Sequence, residues 1–90
     1  MSDHPVVARF VAYLREKNLP VTAQRLAIAE VLLASDRHLS AEEVASELTA
    51  AGRPVGTATV YRAIDTLLES GLLVERDFGE GFRRFEPARD

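Results

Sequence analysis

The sequence predicts a mainly α-helical fold in which four helices precede a small β-hairpin. Apolar residues recur at helical spacing in four separate segments, all of them before residue 71. A capping or turn residue stands between successive segments, which separates them into distinct helices. After Gly71 the pattern changes to two short runs of strand-forming residues around a turn. Ninety residues, 47% of them hydrophobic, are enough for one domain with a single core, so we treat 1–90 as one unit.

A proline separates the first two helices. Apolar side chains at i, i+3, i+4 and i+7, counted from Val7, predict an amphipathic helix over residues 4–18. Pro20 ends it, because proline disfavours the helical conformation in the residue before it. Thr22 is then a good N-cap for a second helix over residues 23–34.

A capping box opens the third helix. The Ser40 hydroxyl is expected to accept from the backbone of Glu43, while the Glu43 carboxylate reaches back to the Ser40 N–H. The polar connector before it, residues 35–38, contains one histidine. We expect this third helix to run from residue 41 to near Gly52.

The fourth helix ends at a glycine, and the chain after it predicts a hairpin. We expect the helix to open at Gly56-Thr57 and to close at Gly71, a typical C-terminal cap. Strands over residues 72–77 and 82–86 follow, with the register of the second left open. This order is typical of a winged helix-turn-helix, in which the third and fourth helices form the turn motif and the hairpin forms the wing.

The fourth helix carries no carboxylate before Asp65. The net charge of -3 argues mildly against a nucleic-acid partner, because phosphate binding usually leaves a basic footprint. Between Leu48 and Ile64, however, only Arg53 and Arg62 are charged. Phosphates would repel carboxylates in a helix that presents its first turns to the major groove, so this distribution favours one positive, DNA-facing side.

Four residues in the first turns of the fourth helix are candidates for contact with double-stranded DNA: Thr57, Thr59, Tyr61 and Arg62. An arginine binds guanine or phosphate, threonine hydroxyls bind phosphates, and a tyrosine ring contacts a thymine methyl group. The alternative is that Thr57 only caps the helix and that Tyr61 lies against the protein with its hydroxyl exposed. Arg83 and Arg84 fit phosphate contact and protection of a strand edge equally well.

Composition narrows the class of protein. The absence of cysteine excludes disulfides and thiolate metal sites within these residues. No apolar run reaches the ~20 residues of a membrane span, and no secretory signal is visible, so we expect a cytoplasmic protein. No phosphate-binding loop or nucleophile–base motif supports an enzyme. The alternative to a DNA-binding domain is a winged-helix protein-protein interaction module without DNA binding, which the acidic composition also fits.

Four motifs identify a family resemblance. The motifs are VTAQR at 21–25, HLSAEE at 38–43, TVYR at 59–62 and Phe85-Glu86. They occur in the order and spacing of the ferric uptake regulator (Fur) family. From about Leu19 to Glu86 the chain closely resembles the N-terminal DNA-binding domain of those metal-responsive repressors. The resemblance implies repression at AT-rich, imperfectly palindromic operators by a homodimer of the intact protein, whose metal-binding dimerisation domain lies outside these residues. The isolated domain is expected to be monomeric or weakly dimeric.

The resemblance also implies roles for individual residues. Tyr61 and Arg62 are the expected main DNA contacts, and Arg25 is expected to face the phosphate backbone, unless it pairs with a nearby carboxylate. His38 and Glu86 correspond to two ligands of a regulatory site for iron, manganese or zinc, completed by ligands beyond residue 90. We expect no tight site in this chain alone, and it requires no bound metal by itself, because zinc takes three or four protein ligands.

One position departs from the family pattern. Pro20 stands where family members often carry a lysine or arginine directed at the minor groove. The resemblance therefore predicts a minor-groove contact only if another cation takes the place of the missing lysine or arginine. The candidates are Arg15, Lys17 and Arg53.

Overall fold

The computed structural model describes residues 4–88 and has the predicted order of elements. The elements are α1 (Pro5–Glu16), α2 (Ala23–Leu33), α3 (Ala41–Ala50), α4 (Thr57–Ser70), β1 (Leu73–Asp77) and β2 (Arg83–Pro87). Their ends differ from the predicted ones by about one or two residues, which is the ordinary scatter of element boundaries. The predicted fold class, four helices and then a two-stranded wing, is confirmed. None of the helices within residues 4–88 is long and apolar enough to cross a membrane.

The predicted N-terminal caps of α2 and α3 are present, and α1 has an N-terminal cap that the sequence pattern did not predict. Thr22 Oγ1 accepts from the backbone of the first turn of α2 at 3.1 Å. In the capping box of α3, Ser40 N–H donates to Glu43 Oε1 at 2.9 Å and Glu43 N–H donates to Ser40 Oγ at 3.1 Å. His4 is the N-cap of α1, because its Nδ1 accepts from Val6 N–H at 3.3 Å.

The core lies where α2 contacts the other helices and the hairpin. The helix α2 packs against α1, α3, α4 and β2, so it is central to the domain. The phenylalanines show which side of each element faces inward: Phe10 and Phe85 are buried, whereas Phe78 and Phe82 are 54% and 42% exposed. This difference settles the register of the second strand, because Phe85 lies within β2 and points to the core while Phe82 precedes the strand.

The loop before α3 is attached to the outer edge of the hairpin. Leu39 N–H donates to the Phe85 carbonyl at 3.0 Å, and Phe85 N–H donates to the Leu39 carbonyl at 2.8 Å. On its other edge β2 pairs with β1 in antiparallel register. Both Leu39 and Phe85 are buried in the core. We call this contact the Leu39–Phe85 bridge; it holds the start of α3 against the wing.

Replacement of Gly71 tests the C-terminal cap of α4. Gly71 has φ +80°, and nothing lies within 4 Å of an added Cβ atom, so only the backbone conformation opposes a side chain. We expect Gly71→Ala to lower the free energy of unfolding by about 1–2 kcal/mol, measured by urea denaturation. Gly71→Asn is the matched control and should cost less, because asparagine tolerates the left-handed region. Equal losses in the two variants would contradict this explanation.

Candidate functional site

Two grooves flank the exposed side of α4. The first lies between α4 and the start of α2, and the residues lining it are Pro20, Thr22, Gln24, Arg25, Thr59, Arg62 and Ala63. The second lies between α4, α3 and the hairpin, and includes Glu42, Tyr61, Ile64, Phe82 and Phe85. Tyr61 and Arg62 thus border different grooves, since successive residues of a helix are about 100° apart around its axis.

The groove beside α2 brings together three of the five predicted DNA contacts: Arg25, Thr59 and Arg62. Arg62 is exposed, and its guanidinium has no side-chain partner among residues 4–88. Arg25 Nη1 donates to the Pro20 carbonyl at 2.6 Å. The alternative prediction for Arg25, an ion pair with a nearby carboxylate, is therefore wrong, and its positive charge is not neutralised by the described chain.

Thr57 lies exposed at the first position of α4 and is not the cap of that helix. Gly56 is the N-cap and supplies no side-chain hydrogen bond, so the alternative role predicted for Thr57 is wrong. The first backbone N–H groups of α4 are consequently left without a side-chain acceptor. Such groups, together with the positive end of the helix dipole, attract anions.

Tyr61 is tied to α3 by a hydrogen bond. Its hydroxyl donates to Glu42 Oε2 at 2.9 Å, while the residue remains 46% exposed. The hydrogen bond to Glu42 raises the pKa of Tyr61 above its ordinary 10.0, because ionisation would break the bond and leave two anions in contact. The residue is accessible from outside the protein, but its hydroxyl already has a protein partner.

The basic side chains within residues 4–88 fall into two groups. Those of the connector and the wing all form ion pairs: Arg37 with Glu47, Arg76 with Glu86, Arg83 with Glu75, and Arg84 with both Glu43 and Glu80. Those of the other group form no ion pair with a described residue: Arg9, Arg15, Lys17, Arg25, Arg53 and Arg62. The wing arginines are thus already neutralised, whereas the positive charges near α2 and α4 are not.

Arg53, one of the arginines without an ion pair among the described residues, lies beside α2. It lines a shallow groove together with Gln24 and Val55. Gln24 also lines the groove that contains Arg25 and Arg62, so the two grooves meet at this residue. We call the surface formed by Gln24, Arg25, Arg53, Thr59 and Arg62 the basic strip.

The two predicted metal ligands lie side by side. His38 Nε2 is 2.6 Å from Glu86 Oε2, and Arg76 Nε donates to Glu86 Oε1 at 2.7 Å. The Leu39–Phe85 bridge explains this contact, since each residue is the chain neighbour of one bridge residue. The hydrogen bond from Arg76, and then the attraction of His38, hold the pKa of Glu86 below its ordinary 4.5 although burial opposes them.

No third metal-ligating side chain joins this pair within the described part of the chain. An imidazole nitrogen and a carboxylate oxygen are suitable donors for zinc, iron(II) or manganese(II). Zinc sites, however, use three or four protein ligands. His38 and Glu86 can therefore supply two donors, and residues 4–88 do not complete a site.

The pH dependence of stability tests the contact between α3 and the wing. The hydrogen bond from Ser40 N–H and the nearby Arg84 guanidinium lower the pKa of Glu43 below 4.5, although burial opposes them. The charged form of Glu43 therefore stabilises the fold above that pH, and this contribution is lost as the pH falls through the folded-state pKa. We expect Glu43→Gln to be less stable than the unchanged chain at pH 7, with a difference that shrinks below about pH 4.5.

Urea denaturation over a series of pH values measures this difference. Glu69→Gln is the control, because Glu69 is an exposed carboxylate of α4 that forms no ion pair with a described residue. The effect of Glu69→Gln on the free energy of unfolding should vary less with pH. A deficit of Glu43→Gln that stays constant down to about pH 3 would show that the charge of Glu43 does not stabilise the fold.

Comparison with known proteins gives one consistent family. The model of the "Ferric uptake regulator family" matches residues 16–90. The ferric uptake regulation protein of Pseudomonas aeruginosa is 43% identical over 76 residues, which are 83% of this chain and 57% of that protein. This chain therefore spans little more than half of that relative's length.

Two solved structures agree in sequence and in fold. The ferric uptake regulator from Pseudomonas aeruginosa, solved with manganese, has a TM-score of 0.75 and 41% identity, over 88% of this chain and 60% of that one. The Vibrio cholerae ferric uptake regulator has a TM-score of 0.74 and 34% identity, over 87% and 60%. The latter structure is described as showing a rearrangement of its DNA-binding domains.

Proposed function

The chain belongs to the ferric uptake regulator family, and we propose that it is the DNA-binding domain of a metal-responsive transcriptional repressor. The observation that carries this proposal is the basic strip, where three arginines without ion pairs border the start of α4. Attraction to phosphates needs such positive charge on one face, even where the net charge of the protein is negative. The name of the matched Pseudomonas protein and the DNA-binding domains of the Vibrio relative support the same function.

In this proposal α4 enters the major groove with its N-terminal turns, as the second helix of a helix-turn-helix does. Arg62 binds a guanine edge or a phosphate, and the hydroxyls of Thr57 and Thr59 bind phosphates. The uncapped N–H groups at Gly56-Thr57 add a further attraction for phosphate. The exposed ring of Tyr61 contacts a thymine methyl group from the other side of the helix.

Arg25 and Arg53 contact the phosphate backbone beside α4. Both belong to the basic strip and have no carboxylate partner among the described residues. Pro20 contributes only its carbonyl, which orients Arg25. Three cations were candidates to replace the missing minor-groove cation: Arg15, Lys17 and Arg53. Of these, Arg53 lies in the basic strip, next to the groove of Arg25 and Arg62 through Gln24.

The operator in this proposal is an AT-rich, imperfect palindrome bound by a homodimer of the intact protein. A single domain is monomeric or weakly dimeric and binds weakly, since joining two modules raises the effective concentration of the second. Binding to DNA, without catalysis, is the whole activity that we assign to this chain.

His38 and Glu86 are the two residues that would hold a regulatory divalent metal, iron, manganese or zinc, together with ligands from outside residues 4–88. The donor set fits these metals. A metal would replace the contacts that now occupy the two oxygens of the Glu86 carboxylate, which are the hydrogen bond from Arg76 and the contact with His38. A bound metal would supply a link between the base of the wing and the rest of the intact protein. Its effect on DNA binding would be to fix the spacing of the two α4 helices of the dimer.

Fluorescence anisotropy of a labelled AT-rich palindromic duplex tests the proposal. We expect this chain to bind at low salt, to weaken steeply as salt rises, and to bind equally in manganese(II) and in chelator. Absence of binding at low salt, at ~100 µM protein, would favour the protein-protein interaction module instead. Stronger binding with manganese would show that His38 and Glu86 form a working site in this chain or across two copies of it.

Removal of Arg62 should weaken binding to a preferred duplex. We expect Arg62→Ala to lose about 1–3 kcal/mol of binding free energy if the guanidinium makes a bidentate base contact. Arg37→Ala is the matched control, because Arg37 is neutralised by Glu47 at 2.8 Å and lies outside the basic strip. Full affinity in Arg62→Ala would rule out α4 as the reading helix.

The salt dependence of binding separates phosphate contacts from base contacts. We expect Arg25→Ala and Arg53→Ala each to lower the slope of log K against log salt by about one. For Arg25→Ala, which removes a phosphate contact alone, we expect little change in sequence preference. The same control, Arg37→Ala, should leave the slope unchanged. Unaltered slopes in both strip variants would remove the phosphate contacts from the proposal.

A further inference from the structure

Glu42 is an acidic residue that contacts the N-terminal half of α4 through Tyr61. It lies in the first turn of α3, next to Glu43, but it takes no part in the capping box, which uses Glu43. Its Oε2 atom accepts the hydroxyl of Tyr61 at 2.9 Å, across 19 positions of sequence. A carboxylate so close to a DNA-reading helix lowers the attraction of that helix for phosphate. Attraction to phosphate therefore does not explain why Glu42 is at this position.

The hydrogen bond restricts what Tyr61 can offer to DNA. The side chain has only two main torsion angles, and it is held at one end by α4 and at the other by Glu42. Tyr61 lines the groove that also contains Ile64 and Phe82. The residue is nevertheless 46% exposed, while the proton of its hydroxyl is already donated to Glu42.

We propose that Glu42 is a positioning residue that makes Tyr61 a reader of thymine methyl groups and prevents its hydroxyl from binding phosphate. This inference rests on the proposed function, in which α4 reads DNA. Glu42 lowers affinity for all DNA by repelling phosphate and raises the preference for thymine by fixing the ring. Specificity of this kind combines a favourable contact with the intended partner and an unfavourable contact with the others.

Two duplexes that differ only in methyl groups test the inference. The first is an AT-rich inverted repeat, and the second carries deoxyuridine in place of its thymidines, which removes the 5-methyl groups alone. The measured quantity is the ratio of the two dissociation constants, obtained by anisotropy at one salt concentration. For the unchanged chain we expect the thymine duplex to bind about fourfold more tightly, which corresponds to burial of roughly one methyl group.

Substitutions at Glu42 separate positioning from charge. We expect Glu42→Ala to reduce the ratio towards that of Tyr61→Ala, which gives the baseline due to DNA shape alone. Glu42→Gln retains an oxygen that accepts the Tyr61 hydroxyl, so it should preserve the ratio while both duplexes bind more tightly. Asp65→Asn is the matched control, because it removes one exposed charge of α4 and should tighten both duplexes without changing the ratio.

A spectroscopic measurement establishes the hydrogen bond itself. In a Tyr13→Phe background, ultraviolet titration follows Tyr61 alone, and Glu42→Ala should lower the phenol pKa towards 10.0. An unchanged phenol pKa would show that the bond does not exist in solution and would overturn the inference. A merely structural link between α3 and α4 would alter stability but would not alter the thymine preference.

The outcomes distinguish this inference from the function on which it rests. If the unchanged chain shows no salt-sensitive binding to either duplex, the proposed function itself fails. If it binds both duplexes equally, or if Glu42→Ala keeps the full thymine preference, the role of Glu42 is wrong and DNA binding stands.

Discussion

The Leu39–Phe85 bridge is the contact on which the arrangement of the wing depends. Two backbone hydrogen bonds, at 3.0 and 2.8 Å, attach the loop before α3 to a strand that lies 46 positions later in the sequence. Because both side chains are also buried, separating the loop from the strand would expose apolar surface as well as polar backbone groups. The start of α3 and the base of the wing therefore form one unit, and His38 meets Glu86 as a consequence.

The same contact determines where positive charge remains. With α3 held against the wing, Arg84 reaches Glu43 at 2.6 Å and donates to the His38 carbonyl at 3.1 Å. The connector arginine and the wing arginines are neutralised by acids of α3 and of the hairpin. The cations of the basic strip have no such neighbours, so a chain with net charge -3 still presents a positive surface beside α4. Such local excess, more than net charge, governs attraction to DNA.

Local pattern was sufficient for the elements and insufficient for the contacts between them. The caps at Thr22 and Ser40 were predictable because their partners lie three residues away. The hydrogen bond between Tyr61 and Glu42 was not, since it depends on how α3 and α4 cross. The proximity of His38 to Glu86 was likewise outside the reach of periodicity, and only the family resemblance indicated it. Side-chain pairing between elements depends on tertiary packing, which no short stretch of sequence contains.

The surface that contacts DNA can be identified most directly by nuclear magnetic resonance. The amide signals of the isotope-labelled chain are followed during titration with an AT-rich duplex. We expect the changes to concentrate at residues 22–25, at Arg53 and at residues 57–62, around the uncapped start of α4 and the basic strip. Changes confined to residues 37–47 and 78–84, where the arginines are already paired, would contradict this expectation. In that case the wing and α3, instead of α4, would form the interface.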